Sequence, residues 1–392
     1  MSELKNYSLG RVPQIFGGPD ALNQLPALVQ ASGAHSVAVI ADAAVEGNGF
    51  LERLRAVLPG IQTFIVAPGE PTCAETNRAA DFARTLDQPL ILGVGGGSAL
   101  DIAKQVAAVI RAPQGIEHYL LCANPFAGRA PLITVPTTSG TGAEVTRTCV
   151  VSDDAGRKLW TWGEELLPDA VILDPAVTAS MPPFVTAATG LDALVHAIEA
   201  ATSGRHNEVA RASALQAIRL IRQALPRAVQ DGSDLLARQQ MQEAALLAGI
   251  AIDNCGTGVA HCIGHALGTL YHLPHGVAVT VALEAALPWN IKESAAYEGV
   301  AQAFGVSVPE LPAAFSALLD ATGLNEAVRR ALEVQIDPAQ LAALMRASEN
   351  LPMLGNNARL AQPADDLLLA EATARLWAAR LGAVRRDVPA HA

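Results

Sequence analysis

LGVGGGSALDIAK, residues 92–104, decides how the first half of the chain is read. An apolar run enters it, Gly95, Gly96 and Gly97 turn the chain, and Ser98 opens a helical pattern. A strand-to-helix turn of this kind gathers backbone N–H groups at a helix N-terminus, where a pyrophosphate can bind. Ser98 stands where the third glycine of G-x-G-x-x-G would be, and the stretch is not a Walker loop, so a simple tight turn remains the alternative. Outward from this turn, β-branched runs alternate with helical stretches: SVAVIAD (36–42), IQTFIVA (61–67), PLILGVGGG (89–97), PLITVPTT (131–138) and AVILDP (170–175). That alternation predicts an α/β domain built on a parallel sheet. Between Glu144 and Trp162, a turn-forming DDAG flanked by strand-like residues predicts an inserted hairpin.

From Pro183 onward the character changes. Long Ala- and Leu-rich stretches at 185–202, 206–227 and 234–252 predict a helical second domain, giving 1–183 as the α/β domain and 184–392 as the helical one. The length of 392 residues suits two such domains. A hydrophobic fraction of 51% against 17% charged residues favours a packed interior over disorder. RRDVPAHA, at 385–392, is expected to fray.

Charge and cysteine usage narrow the function classes. A net charge of −11 without a basic stripe opposes binding to nucleic acid or an anionic membrane. The five cysteines are scattered without a C-x-x-C pair, which argues against a disulfide framework. The start, MSELKNYSLG, lacks the apolar core of a secretory signal, so a cytoplasmic protein is expected.

Two clusters carry ligand chemistry. In GLDALVHAIEA (190–200), Asp192 and His196 stand four residues apart and project from one helical face; an ordinary surface pair is the alternative. In GVAHCIGHALGTLYHLPHGVAV (258–279), His261, His265, His272 and His275 are four of the chain's nine histidines. Pro274 and Gly276 should turn the chain so that His275 returns toward the His261 face. One carboxylate with several imidazoles suits Fe²⁺, Zn²⁺, Co²⁺ or Ni²⁺ better than Ca²⁺ or Mg²⁺. Cys262 adjoins His261 but points elsewhere on a helix, so Cys255 and Cys262 read as packing residues.

Two further loops accompany the glycine turn. Asp42 ends SVAVIAD, where a carboxylate can accept ribose hydroxyls and repel a 2′-phosphate; capping the next helix is the alternative. VPTTSGTGAEVT crowds Thr137, Thr138, Ser139 and Thr141 behind a strand, which can line a phosphate or an amide. Together the loops describe a dinucleotide crevice.

GGGSALDIAK (95–104), PTTSGTGAEVT (136–146), GLDALVHAIEA (190–200), AGIAIDNCGTGVAHCIGHALG (248–268) and LPHGVAV (273–279) are similar, in order, to motifs of the iron-containing (group III) alcohol dehydrogenase family, whose members include lactaldehyde reductase and 1,3-propanediol dehydrogenase. The resemblance covers nearly the whole chain. It implies a dehydroquinate synthase-like fold: an N-terminal dinucleotide-binding α/β domain and an all-helical C-terminal domain, with the active site in the cleft between them. It assigns Asp192, His196, His261 and His275 to the metal, Fe²⁺ with Zn²⁺ as the alternative. It also places His265 beside nicotinamide and substrate as the proton relay. Gly96, Gly97, Ser98, Asp101, Thr137, Thr138, Thr141 and Lys158 match its cofactor positions, and Asp42 the position that prefers NAD over NADP.

The implied activity is NAD(P)-linked oxidation of a small alcohol, or reduction of an aldehyde or ketone, by direct hydride transfer in a homo-oligomer, expected to be a dimer. Zinc enzymes of the same fold, glycerol dehydrogenase and dehydroquinate synthase, are the nearest alternatives; a nonenzymatic metal or nucleotide module is the alternative of another class. The sequence also departs from the family. PGEPT carries Glu70 near the place of an Asn, Ile252 replaces a frequent Phe, and Trp160 and Trp162 stand where smaller residues are usual.

Overall fold

The computed structural model describes residues 6–205, 207–329 and 334–386. The chain divides into two compact units, one of Arg11–Met181 with Ser233–Gly249, the other of Met1–Gly10, Pro182–Gly232 and Ile250–Ala392.

The first unit holds β1 (Gln14–Gly17), β2 (Ser36–Asp42), β3 (Gln62–Val66), β4 (Pro89–Gly95), β5 (Leu132–Pro136), β6 (Thr148–Ser152), β7 (Lys158–Trp162) and β8 (Ala170–Leu173). Its helices are α1 (Leu25–Ser32), α2 (Ala43–Gly47), α3 (Phe50–Val57), α4 (Cys73–Arg84) and α5 (Gly97–Val109). Among the described residues, six strands form one parallel sheet in the order β1-β8-β5-β4-β2-β3.

Both faces of that sheet are covered, which is why its strands read as nearly continuous apolar runs. Ala38, Ile40 and Ile91 join one core with residues of α4 and α5, whereas Val37, Val39, Leu90 and Leu92 join another with Leu25, Leu51 and Leu54. The alternation is the period of two that a strand imposes.

The expected strands are all present. β1 was not foreseen: QIFG is short and only partly buried, and it pairs with the distant β8. The hairpin forms as β6 and β7, but as a separate antiparallel pair rather than part of the large sheet.

The helical unit contains α6 (Pro183–Thr202), α7 (Glu208–Gln230), the end of α8 (Leu235–Cys255), α9 (Val259–Tyr271), α10 (His275–Asn290), α11 (Ser294–Phe304), α12 (Leu311–Ala321), α13 (Leu324–Arg329), α14 (Pro338–Met345), α15 (Leu351–Asn356) and α16 (Pro363–Arg386). Helix α6 is apolar and long enough to cross a membrane, yet 78% of its apolar window is buried inside the protein, as befits a core helix. Helix α7 shows the usual one-sided pattern, burying Ala214, Ile218, Ile221 and Leu225.

The first part of α8, through Gly249, clusters with the sheet-bearing unit. Gln242 Nε2 donates to Asp174 O, and the backbones approach closely: a Cβ on Gly142 would lie 2.5 Å from Gly249 Cα, so the Thr141–Gly142 turn rests directly on the helix. Of the RRDVPAHA stretch, Arg385 and Arg386 continue α16, and 387–392 lie outside the described residues, as does residue 206 at the start of the second expected helix.

Candidate metal and dinucleotide sites

In the helical unit, α6 supplies Asp192 and His196, α9 supplies His261, and His275 is the first residue of α10. Helix α10 packs against both α6 and α9. Gly276 permits part of that packing, because a Cβ there would lie 2.3 Å from Ala188 O on α6. Pro274 as N-cap starts α10, so the turn expected from Pro274 and Gly276 does bring His275 back to the His261 face.

One donor atom from each of Asp192, His196, His261 and His275 lies within 4.8 Å of all the others. Asp192 Oδ1 stands 3.8 Å from His196 Nε2 and 3.7 Å from both His261 Nε2 and His275 Nε2. These separations are too long for hydrogen bonds. Asp192 Oδ1 and His261 Nε2 are buried and have no hydrogen-bond partner among the described residues.

Behind His261, Glu199 Oε2 stands 2.6 Å from Nδ1. With the proton on Nδ1, His261 presents the lone pair of Nε2 to a carboxylate oxygen. Two facing lone pairs in a buried site repel each other, and a cation between them, a proton or a metal ion, relieves that repulsion. The donor set therefore fits a divalent metal.

Burial alone would raise the Asp192 carboxyl, but the imidazoles of His196, His275 and His261 outweigh it and hold the group well below the usual range. Burial would lower His261, yet the carboxylates of Glu199 and Asp192 push it up to about 9. Glu199 itself is held below its ordinary value: burial opposes this, and His261 with the Gly258 and Ala260 N–H groups overcomes it.

His265 lies one turn beyond His261 on α9. Its ring centre is 5.5 Å from that of His275 and 6.3 Å from that of His261. It is half-buried and outside the four-residue donor group. His272 caps the end of α9 in a left-handed conformation and is exposed. Cys262 Sγ contacts Met345 O at 3.3 Å, and Cys255 is buried, in keeping with packing roles.

The sequence reading missed Glu199, although Asp192, His196 and Glu199 stand at i, i+4 and i+7 on one helix face. That periodicity was the available signal.

In the sheet-bearing unit, the carboxyl ends of β2 and β4 bring Asp42 and the glycine turn together. These strands are neighbours from which the chain proceeds toward opposite edges, the switch point where open α/β sheets bind ligands. Gly95 has φ +151°, and a Cβ there would lie 2.7 Å from Asp42 Oδ2, so glycine lets the carboxylate close over the turn. Asp42 Oδ2 accepts from Gly96 N–H at 2.9 Å while Oδ1 accepts from Val45 N–H at 3.0 Å. The capping alternative is thus realised alongside a second bond to the glycine loop.

Gly96 is the N-cap of α5 and provides no side-chain cap, leaving helix-terminal amides for an anion. Thr138 and Thr141 pack over Gly96 and Gly97: Cβ atoms there would come within 3.4 Å and 2.6 Å of their methyl carbons. Thr137 N–H donates to Gly95 O. Ser139 Oγ is buried without a hydrogen-bond partner among the described residues, a polar atom that fits a bound ligand. Ser98 lies in the first turn of α5.

Two expected cofactor residues are engaged by protein groups. Asp101 Oδ2 accepts from Val150 N–H, and its Oδ1 lies 3.4 Å from Lys104 Nζ. Lys158 Nζ is 2.9 Å from Glu70 Oε1, the departure noted in PGEPT. Trp160 is half-buried, and exposed Trp162 carries the Arg147 guanidinium 5.2 Å from its ring centre. Ile252 is half-buried on α8.

Comparison with known proteins agrees with both halves. Residues 13–175 match the family model "Iron-containing alcohol dehydrogenase", and residues 186–365 match "Fe-containing alcohol dehydrogenase family, C-terminal". The chain is 35% identical over 294 residues to 1-propanol dehydrogenase PduQ of Citrobacter freundii, covering 74% of this chain and 75% of that protein. It is 39% identical over 277 residues to long-chain-alcohol dehydrogenase 1 of Geobacillus thermodenitrificans, covering 68% and 69%. The crystal structure of a 1,3-propanediol oxidoreductase superposes with a TM-score of 0.82 at 30% identity, covering 95% of this chain and 100% of the other. The chain therefore belongs to the iron-containing alcohol dehydrogenase family and is an NAD-linked alcohol dehydrogenase.

Proposed function

We propose that the chain interconverts a small alcohol and its aldehyde or ketone, with the iron held by Asp192, His196, His261 and His275 in a metal-binding domain of residues 184–392. The observation that carries this reading is the enclosed donor set, in which Asp192 Oδ1 and His261 Nε2 face each other without a hydrogen bond. When bound, iron supplies a Lewis-acidic positive charge that favours the negative oxygen developing on an alcohol. Asp192 contributes the single anionic donor, so three neutral imidazoles leave the charge of a divalent ion only partly cancelled.

NAD is proposed to bind the 1–183 domain through Gly96, Gly97, Ser98, Asp101, Thr137, Thr138, Thr141 and Lys158. The uncapped first turn of α5 faces the pyrophosphate in this reading, and Asp42 accepts ribose hydroxyls and disfavours a 2′-phosphate. Lys158 comes to the cofactor already paired with Glu70, so its ammonium is shared between the two.

His265 is the proposed proton relay. It is half-buried, one turn from His261, and outside the donor group, a position from which an imidazole can serve as general acid or base. A cytoplasmic homodimer is the proposed working form.

The test is a spectrophotometric screen of NADH and NADPH with C2 to C6 alcohols, diols and aldehydes, on protein reconstituted separately with Fe²⁺ and Zn²⁺. Substrate-dependent change in NADH absorbance with the iron-loaded protein is expected. Turnover only with zinc, or no net cofactor reduction with any alcohol, would overturn the assignment.

A further inference from the structure

Glu199 is among the most enclosed carboxylates of the helical unit, at 5% exposure, and it contributes no atom to the four-residue donor group. It sits behind that group. Glu199 Oε2 lies 2.6 Å from His261 Nδ1 and accepts from Gly258 N–H at 2.8 Å, while Oε1 accepts from Ala260 N–H at 2.7 Å. One carboxylate thus fixes a ligand ring and satisfies orphan amides at the start of the helix that carries it.

The approach depends on Gly258. A Cβ there would lie 3.1 Å from Glu199 Oε1 and 2.8 Å from Asn357 Oδ1. Asn357 Oδ1 in turn accepts from Val259 N–H at 3.3 Å, so the start of α9 is held from two sides.

Resting on the metal-centre reading above, we propose that Glu199 is a positioning residue of the iron centre. Its carboxylate keeps the proton of His261 on Nδ1, aims the Nε2 lone pair at the ion, and strengthens that nitrogen as a donor. A ligating imidazole whose far N–H is held by a carboxylate has its tautomer and ring plane set, and such partners tune metal affinity. Asp192, His196 and Glu199 lie on one face of α6, so a single helix supplies two ligands and orients a third from α9.

The test uses the full-length protein in metal-free form, titrated with Co²⁺ against a competing chelator, for wild type, Glu199→Gln, Glu199→Ala and Asp192→Ala. Far-UV circular dichroism and the thermal midpoint of each metal-free variant establish that it folds. Glu199→Gln is expected to fold, to bind Co²⁺ about 10- to 100-fold more weakly, and to shift the cobalt ligand-field bands. A residue that merely caps α9 would leave that spectrum unchanged. Wild-type affinity with a wild-type cobalt spectrum in Glu199→Gln overturns the proposal, and that variant decides the matter if Glu199→Ala does not fold. Equal Co²⁺ binding by wild type and Asp192→Ala would instead overturn the metal-centre reading, and this proposal with it.

Discussion

Removing the Asp42 carboxylate should have two separable effects, because each of its oxygens makes a different bond. Asp42 Oδ1 caps α2 through Val45 N–H, and Oδ2 holds Gly96 N–H in the glycine turn. Loss of an N-cap costs about 1 kcal/mol. Loss of a hydrogen bond to a charged acceptor costs about 1.5–3 kcal/mol, toward the low end here because Asp42 is half-buried and water can replace it. Asp42→Ala should therefore destabilise the sheet-bearing unit by about 2–3 kcal/mol, a fall in its thermal midpoint of roughly 4–12 °C for a domain of this size.

Asp42→Asn keeps one acceptor oxygen, enough to cap α2, but its amide nitrogen cannot accept from Gly96 N–H, so its midpoint should fall by less than that of Asp42→Ala. Cofactor preference should move in both variants. A 2′-phosphate carries about −1.5 to −2 charge. One unit pair at ~4 Å is worth ~1 kcal/mol in bulk water and ~4 kcal/mol at the effective dielectric of a protein surface. For a half-exposed carboxylate, the low end of that range gives about 1–2 kcal/mol, so the NADPH to NADH ratio of kcat/KM should rise about tenfold or more. Calorimetry and steady-state kinetics on the two variants measure both effects. An unchanged midpoint in Asp42→Ala together with an unchanged cofactor ratio would refute the reasoning.

Other perturbations follow from the same geometry. His265→Ala should slow turnover by about 10²- to 10⁴-fold, the usual range for a lost general acid or base, with metal content by emission spectroscopy near normal; loss of metal would instead make His265 a ligand. Gly276→Ala places a Cβ 2.3 Å from Ala188 O, so α10 must shift away from α6. About 1–3 kcal/mol of stability and some metal affinity should be lost, measured by thermal unfolding and chelator competition. Burial pushes Glu144 from 4.5 up to about 7, with Lys104 and its own backbone N–H opposing. The folded chain then holds a proton that the unfolded chain releases, so this contribution is complete below pH 4.5 and is lost as pH rises through about 7. At 1.36 kcal/mol per pH unit, Glu144→Gln should be more stable than wild type by up to about 3 kcal/mol at pH 8, with the gain vanishing near pH 4 in denaturant titrations.

Much of this architecture is legible in the sequence where local rules suffice. The strands of the parallel sheet declare themselves as apolar runs ended by glycine, threonine or aspartate. The four ligand-type residues fall at helical spacing or behind a Pro-His-Gly turn. What escaped depends on partners remote in sequence. β1 is four residues long and becomes a strand only by pairing with β8. Ser233–Gly249 reads as ordinary helix, and contacts remote in sequence, the Gly142 to Gly249 approach and the Gln242 bond to Asp174 O among them, decide which unit it joins. Glu199 stood in the same motif as Asp192 and His196, but its meaning comes from the ring of His261, 62 residues away. Asp42 was read as either a cap or a ribose acceptor, whereas its two oxygens allow capping and a hold on the glycine turn at once.

The most direct test of the account is the iron content of the purified chain after anaerobic reconstitution and desalting, compared with that of His261→Ala. One ion per chain in wild type and none in His261→Ala, with the variant still folded, is the predicted result. Equal iron in both would contradict an ion held by Asp192, His196, His261 and His275.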